Sequence, residues 1–494
     1  MTSDSLDTGH LGTGLERRAA RGGAVTLAGQ GAKFVVQTGS TILLARLLVP
    51  ADYGLVAMVL AITGIATPLV DFGLSMATIQ RKDITQEQVT NLFWANLALG
   101  VAFCMFVSTL APAFAWFYGE PRLTAITLVL STTFLFTGLG VQHRALLQRQ
   151  MRFNALVLTD LLALIGGLSV AIALAIAGKG YWALVANPVV AMALTAASSW
   201  FLCRWRPAMP TRGTGVRPLL SFGTHLAGFN LVNYAARSLD NVLIGYAWGA
   251  PQLGLYDRAY RLLMLPLEQL SAPAARVMVP TMSRCQSDPD TWSNTYSGGL
   301  TVMMLLAAPL NIFCLVFADK LIPLVLGEQW SGAVPIFRYL AVAGIAQSLC
   351  NSVGWVYISL GRTDRMFKWG VMASAIICLS FVIGLPFGPS GVALSYSAAM
   401  LSLTLPCLAY AYHDTGLTWS LLTRAISLPI VASTIAGLVS LAFRALQRAP
   451  GTGGLAEGVM IFLGIYGAIV ASRPKGRIAI RGALRTLAPA RGDS

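Results

Sequence analysis

Gln30, Lys33 and Gln37, followed by Ser40 and Thr41, interrupt the stretch GQGAKFVVQTGSTILLARLLVPADYGL, which is otherwise apolar enough to cross a membrane. Their spacing places them on one face of an α-helix. A charge at mid-membrane costs at least ~2.5 kcal/mol, and such groups face a polar interior or a water-filled cavity rather than lipid. A shift of about 200 residues lays a second stripe on the first: Gln30 falls on Asn230, Lys33 on Asn233, Gln37 on Arg237, and Ser40 and Thr41 on Asp240 and Asn241. The same shift aligns LLARLLVPADYGLVAM with LIGYAWGAPQLGLYDR, with Gly54 on Gly254 and Leu55 on Leu255. The two helices then run in the same direction, as in transporters built from parallel repeats. Polar side chains that merely hold helices together account for Gln30 and Asn233. They account less well for Lys33 and Arg237.

Other ionisable residues lie at membrane depth: Asp71, Asp160, Asp240, Glu268 and Arg276, with Arg46, Asp257, Arg258 and Arg261 nearer the outer ends. Asp71 continues a stripe of Thr63 and Thr67. Asp257 and Arg261 stand four residues apart and are expected to form a local ion pair. Asp240 is a candidate partner of Arg237, and Arg276 is near enough to the cytoplasmic side to snorkel. The functional reading gathers these groups at a seam between two lobes. Lys33 and Arg237 form its positive centre, and Arg258, Arg261 and Arg276 line its mouths. Gln30, Gln37, Asn230, Asn233 and Asn241 supply a polar lining. Asp71, Asp160, Asp240 and Glu268 balance charge or carry a coupling ion, H⁺ or Na⁺. A basic cavity suits an anionic substrate, a diphosphate in particular, because ammonium and guanidinium groups match phosphate oxygens.

No catalytic or metal-binding pattern competes with this reading. The seven cysteines include no CxxC, the four histidines give no HExxH, and there is no P-loop. The GLG at Gly138 lies in an apolar helix without the rest of a dinucleotide fingerprint. No enzyme activity, metal or organic cofactor is expected.

The elements that position these residues follow from composition. The chain has 494 residues, 55% hydrophobic and 11% charged, with mean hydropathy +0.66. Soluble domains carry about 25% charged residues, so an all-α integral membrane protein is expected. Apolar stretches of about 20 residues recur, as membrane-crossing helices require; a strand barrel would show short alternating segments. Fourteen transmembrane helices are expected, near 22–48, 54–79, 90–117, 123–143, 154–177, 181–203, 217–248, 253–283, 293–318, 333–360, 366–386, 390–412, 418–446 and 455–472. Those at 217–248 and 253–283 are the least apolar. The segment FADKLIPLVLGEQWSGAVP is expected to form a short surface helix and turn.

Charge supports the count. Alternate connections hold about 22 of the 35 Lys and Arg residues, which places those connections in the cytoplasm. An even number of crossings puts both termini there too, and the first residues read as a cytoplasmic tail rather than a signal peptide. The net charge of +15 is thereby explained by topology, which excludes a nucleic-acid partner. The expected organisation is a cytoplasmic tail over 1–21, an N-lobe of six helices over 22–203, a cytoplasmic linker over 204–216, a C-lobe of six helices over 217–412, two further helices over 413–472 and a basic cytoplasmic tail over 473–494. No outer connection is long enough for a catalytic domain, which counts against a polysaccharide polymerase or glycosyltransferase. The net basic seam counts against a multidrug antiporter, whose cavity favours cations.

The stretch from GAVTLAGQGAKF to QVTNLFWANL, with LARLLVPADYGLVAM, DFGL, IQRKDIT and FWANL, resembles the opening of the Wzx-type lipopolysaccharide and exopolysaccharide flippases; IPLVLGEQW and AVPIFRYLA later in the chain resemble another of their marks. These belong to the polysaccharide transporter family of the multidrug/oligosaccharidyl-lipid/polysaccharide exporter superfamily. The resemblance implies two six-helix lobes in a V that open alternately to either side, plus two C-terminal helices. It implies an undecaprenyl-diphosphate-linked oligosaccharide as substrate, moved from the cytoplasmic to the periplasmic leaflet of the bacterial inner membrane. Other polysaccharide assembly proteins, a polymerase and a co-polymerase, are implied partners. Lys33 and Arg237 take the place, by position, of the cavity cations that the family uses on the pyrophosphate.

Overall fold

The computed structural model describes residues 15–64, 70, 74–80, 84–211, 217–446, 453–474 and 477. Asp71 and the DFGL motif, both chain ends and the last part of the 204–216 linker lie outside the described residues. Among those described, the regular structure is entirely helical. In chain order it comprises α1 Leu15–Leu47, α2 Pro50–Thr63, α3 Leu74–Gln80, α4 Gln86–Tyr118, α5 Arg122–Arg149, α6 Phe153–Ile176, α7 Trp182–Cys203, α8 Arg217–Arg284, α9 Pro289–Leu326, α10 Ala333–Ser359, α11 Thr363–Gly384, α12 Gly388–Tyr412, α13 Trp419–Leu446 and α14 Gly453–Ser472. Nine stretches among the described residues are long and apolar enough to cross a membrane; one of them, Thr363–Tyr412, is the pair α11–α12 joined by a short 3₁₀ turn. The protein is therefore a multi-pass membrane protein.

Local chemistry sets the ends of these helices. Thr85 caps α4: its hydroxyl accepts the Gln88 N–H, and the Gln88 side chain accepts the Thr85 N–H in return. Asp288 caps α9, accepting from the N–H groups of Asp290 and Thr291. The two least apolar segments are two helices, labelled together α8, that meet at a kink at Gly249, whose φ of 75° and ψ of 180° only glycine adopts freely. The expected short surface helix after residue 318 is absent. Instead α9 runs on to Leu326, because Ile322 and Leu326 continue its buried face. A 3₁₀ turn, Glu328–Trp330, follows and buries Trp330.

The chain divides into two compact units, 1–254 and 255–494. In the first unit, α4 packs on α5, α5 on α7, α6 on α7 and α1 on α6. The chain after α7 is a strap tied along α4. Trp205 donates its indole N–H to Gln86, Trp94 donates to the Ala208 carbonyl, and Asn91 exchanges two hydrogen bonds with Thr211. Trp205 is buried under this strap against Phe93 and His143. In the second unit, α9 packs on α10 and α13, α10 and α11 on α12, and α13 on α14. Its core is rich in aromatic residues: the Tyr296 hydroxyl lies 3.0 Å from those of Ser352 and Tyr412, and the Trp355 and Tyr412 rings meet Tyr296 edge-on.

Candidate functional site

The lysine of the first stripe meets a carboxylate. Packing of α1 on α6 brings Gly29 against Val157, so close that a Cβ on Gly29 would lie 2.7 Å from a valine methyl. About one turn further along both helices, Lys33 Nζ donates to Asp160 Oδ2 at 2.5 Å. Arg144 on α5 donates to the other oxygen, Oδ1, at 2.7 Å. One aspartate thus holds two cations, and the group keeps a net charge of +1. The side chains of Lys33, Asp160 and Arg144 remain 34%, 25% and 34% exposed.

Arg144 is the member that sequence reasoning missed as a site residue. The fourth crossing was expected to end at residue 143, which leaves Arg144 in the connection that follows. Instead α5 continues to Arg149, which places Arg144 inside the helix. A signal was there: Arg144 and Asp160 lie equally far from Arg152 on either side of the α5–α6 turn, as mates in a helical hairpin do. His143 fixes the rotation of α5 at this point. Its ring is buried, stacked on Trp200 at 4.4 Å, and flanked edge-on by Phe93 and Trp205. With His143 turned into that aromatic box, the next residue, about 100° further round the helix, is turned towards α6.

The rest of the first stripe is open at Gln30 and Gln37 and buried at Ser40. The Ser40 and Thr41 hydroxyls both donate to the Gln37 carbonyl at 2.8 Å. On the second stripe, Arg237 is exposed, Asn241 is half-buried and Asp240 is buried, its carboxylate accepting the Asn241 N–H at 2.7 Å. The side chains of Asn230 and Asn233 lie outside the described residues. The two aligned glycines are in contact within the first unit. A Cβ on Gly54 would lie 1.7 Å from the Ala250 carbonyl oxygen, and one on Gly254 would lie 1.8 Å from that of Pro50. Each glycine therefore lies on the carbonyl four residues before the other, a reciprocal packing that matches the 200-residue shift. Tyr234 adds a hydrogen bond to the Leu60 carbonyl at 2.8 Å.

In the second unit, Asp257 is buried and accepts from Arg261, the expected partner, at 2.8 Å. Arg258 joins it at 2.7 Å. Glu268 and Arg276 are exposed, and neither forms an ion pair among the described residues. A third aspartate, Asp319, likewise holds two cations, Arg338 at 3.1 Å and Arg444 at 2.5 Å. Arg444 is anchored further by the Val316 carbonyl and by the face of Phe317.

Comparison with known proteins places these features in a family. The profile of the family described as "Polysaccharide biosynthesis protein" matches residues 43–335. The chain is 28% identical to the lipopolysaccharide biosynthesis protein WzxC of Escherichia coli (strain K12), over 73% of this chain and 74% of that one. It is 30% identical to the teichuronic acid biosynthesis protein TuaB of Bacillus subtilis (strain 168), over 62% and 64%. It is 24% identical to the succinoglycan biosynthesis transport protein ExoT of Rhizobium meliloti (strain 1021), over 79% and 77%. In fold it is similar to the lipid II flippase MurJ, with a TM-score of 0.72 at 12% identity over 90% of this chain and 97% of that one. It is also similar to a multidrug resistance MATE family transporter of the MOP superfamily, at 0.61 and 14% over 78% and 94%. The resemblance of the sequence to the Wzx-type flippases is met, and the all-helical fold is similar to that of these two solved transporters.

Proposed function

We propose that this chain, which belongs to the polysaccharide biosynthesis protein family, is a flippase for undecaprenyl-diphosphate-linked oligosaccharide repeat units. It moves their head groups from the cytoplasmic to the periplasmic leaflet for surface polysaccharide export, by alternating access. The observation that carries this reading is the pair of cations, Lys33 and Arg144, set among apolar helices on a single carboxylate that neutralises only one of them. Such a group attracts an anion, and a diphosphate is the anionic part of a lipid-linked sugar. The names of the relatives, which place them in lipopolysaccharide, teichuronic acid and succinoglycan biosynthesis, support the same class of substrate.

In this reading the chain crosses the inner membrane fourteen times, with both termini in the cytoplasm and six helices in each lobe. Arg237 faces the diphosphate together with Lys33 while the polyprenyl tail stays in lipid, and a polymerase and co-polymerase use the delivered units. The fold is shared with multidrug transporters. The excess of cations over carboxylates favours an anionic cargo over the cationic drugs of an antiporter.

The test is deletion of the protein followed by analysis of the lipid pool. Sugar-loaded undecaprenyl diphosphate should accumulate in the cytoplasmic leaflet while surface polysaccharide is lost. An unchanged lipid pool accompanied by drug sensitivity would instead establish the antiporter.

A further inference from the structure

We infer that Asp160 is a built-in competitor for the anionic group of the cargo, occupying Lys33 and Arg144 when the site is empty and displacing the cargo when it leaves. This rests on the flippase reading above.

Three aspartates in the described residues each hold two cations, and only one of them is arranged to let go. Asp257 is 4% exposed, so withdrawing its arginines would strand a buried charge. Asp319 binds an arginine that a carbonyl and an aromatic ring also hold in place. Asp160 differs on both counts. Its side chain is a quarter exposed, so water can solvate the carboxylate when its partners turn away. Lys33 and Arg144 have no other hydrogen-bond partner among the described residues. An ammonium has three donors and a guanidinium five, and Asp160 takes one from each. The remaining donors are left for another acceptor.

Carboxylate and phosphate oxygens make the same kind of charge-assisted bonds to these groups. A diphosphate diester carries two negative charges against the carboxylate's one, so it can take both cations from Asp160. The carboxylate stays beside them and remains ready to return. The arrangement weakens binding and hastens release, and a transporter that must turn over needs both.

The experiment uses the full-length protein in nanodiscs with undecaprenyl diphosphate as probe and undecaprenyl monophosphate as comparison, read by native mass spectrometry. Asp160→Asn is expected to bind the diphosphate at least ~10-fold more tightly than wild type, while surface polysaccharide in cells carrying it falls. Lys33→Gln and Arg144→Gln are expected to bind at least ~10-fold more weakly. If the two cation variants weaken binding but folded Asp160→Asn binds equally or less well, the competitor role is overturned and the flippase reading stands. If wild type shows no preference for the diphosphate, the reading falls and the inference with it. Should Asp160→Asn not fold, Asp160→Ser and Asp160→Glu decide: serine must tighten binding and glutamate, which keeps the competing charge, must not.

Discussion

A single carboxylate shared by two cations recurs in this protein, and what each instance does depends on its exposure. At Asp257 the pairing is structural. Asp257→Asn leaves two guanidinium groups beside a buried site without a counter-charge, so the thermal unfolding midpoint in detergent should fall by the equivalent of about 3–5 kcal/mol. Arg261→Gln removes a partner that is 54% exposed and should cost no more than about 1 kcal/mol in the same assay. At Lys33 the proposed role is that of a positive charge. Lys33→Arg should therefore retain more polysaccharide export than Lys33→Ala, and equal loss in both would point to shape instead. The Asp257–Arg261 pair was legible in the sequence because a spacing of four residues makes neighbours on a helix. The partner of Lys33 was not. Asp160 lies 127 residues away, and no periodicity within one helix reports which side chain of another it meets. Asp160 was singled out as a group that balances charge or carries a coupling ion, with no partner named. Arg144 was lost to an expected helix end six residues short of the actual one.

At the scale of elements, the glycine alignment is legible in the sequence and the strap after α7 is not. The alignment of Gly54 with Gly254 marks the point where α2 and the chain around Gly249 come closest. Any side chain there must push backbone apart, so Gly54→Val should reduce the yield of folded protein sharply. Gly31→Ala, with nothing within 4 Å of its Cβ position, should leave it unchanged. Fluorescence-detected size exclusion of the two variants tests the contrast. The turn between the aligned segments reads in sequence as an ordinary connection between two crossings. The non-helical backbone of Gly249 separates two helices there, in agreement with that reading. The strap after α7 was likewise read as a plain linker, since its hydrogen bonds to Gln86, Asn91 and Trp94 link residues more than 110 positions apart. Those bonds should protect Arg204 from trypsin in wild type. Trp205→Ala, which empties the buried indole site, should expose it to cleavage.

At the scale of the whole molecule, the apolar segments were legible because lipid demands about 20 apolar residues per crossing whatever their partners. The boundaries expected for the helices from 153 to 203 and from 333 to 446 agree with those observed to within a few residues. The expected orientation rests on charge alone, and labelling tests it. In a cysteine-free background, Lys179→Cys should react with an impermeant thiol reagent from outside intact spheroplasts and Met209→Cys only after lysis; the reverse pattern would invert the topology. The reciprocal glycine contact also bears on how the chain is made. The first part of α8 carries Arg237 and Asp240, and a charged side chain at the centre of a helix costs about 2.5–3.5 kcal/mol to hand from the translocon to lipid. That segment is held instead by α2, through Gly54, Ala250 and the Tyr234 hydrogen bond. Gly54 precedes Gly254 by 200 residues, so α2 is already synthesised when that segment emerges, and the order of synthesis makes the partner of the polar helix available first.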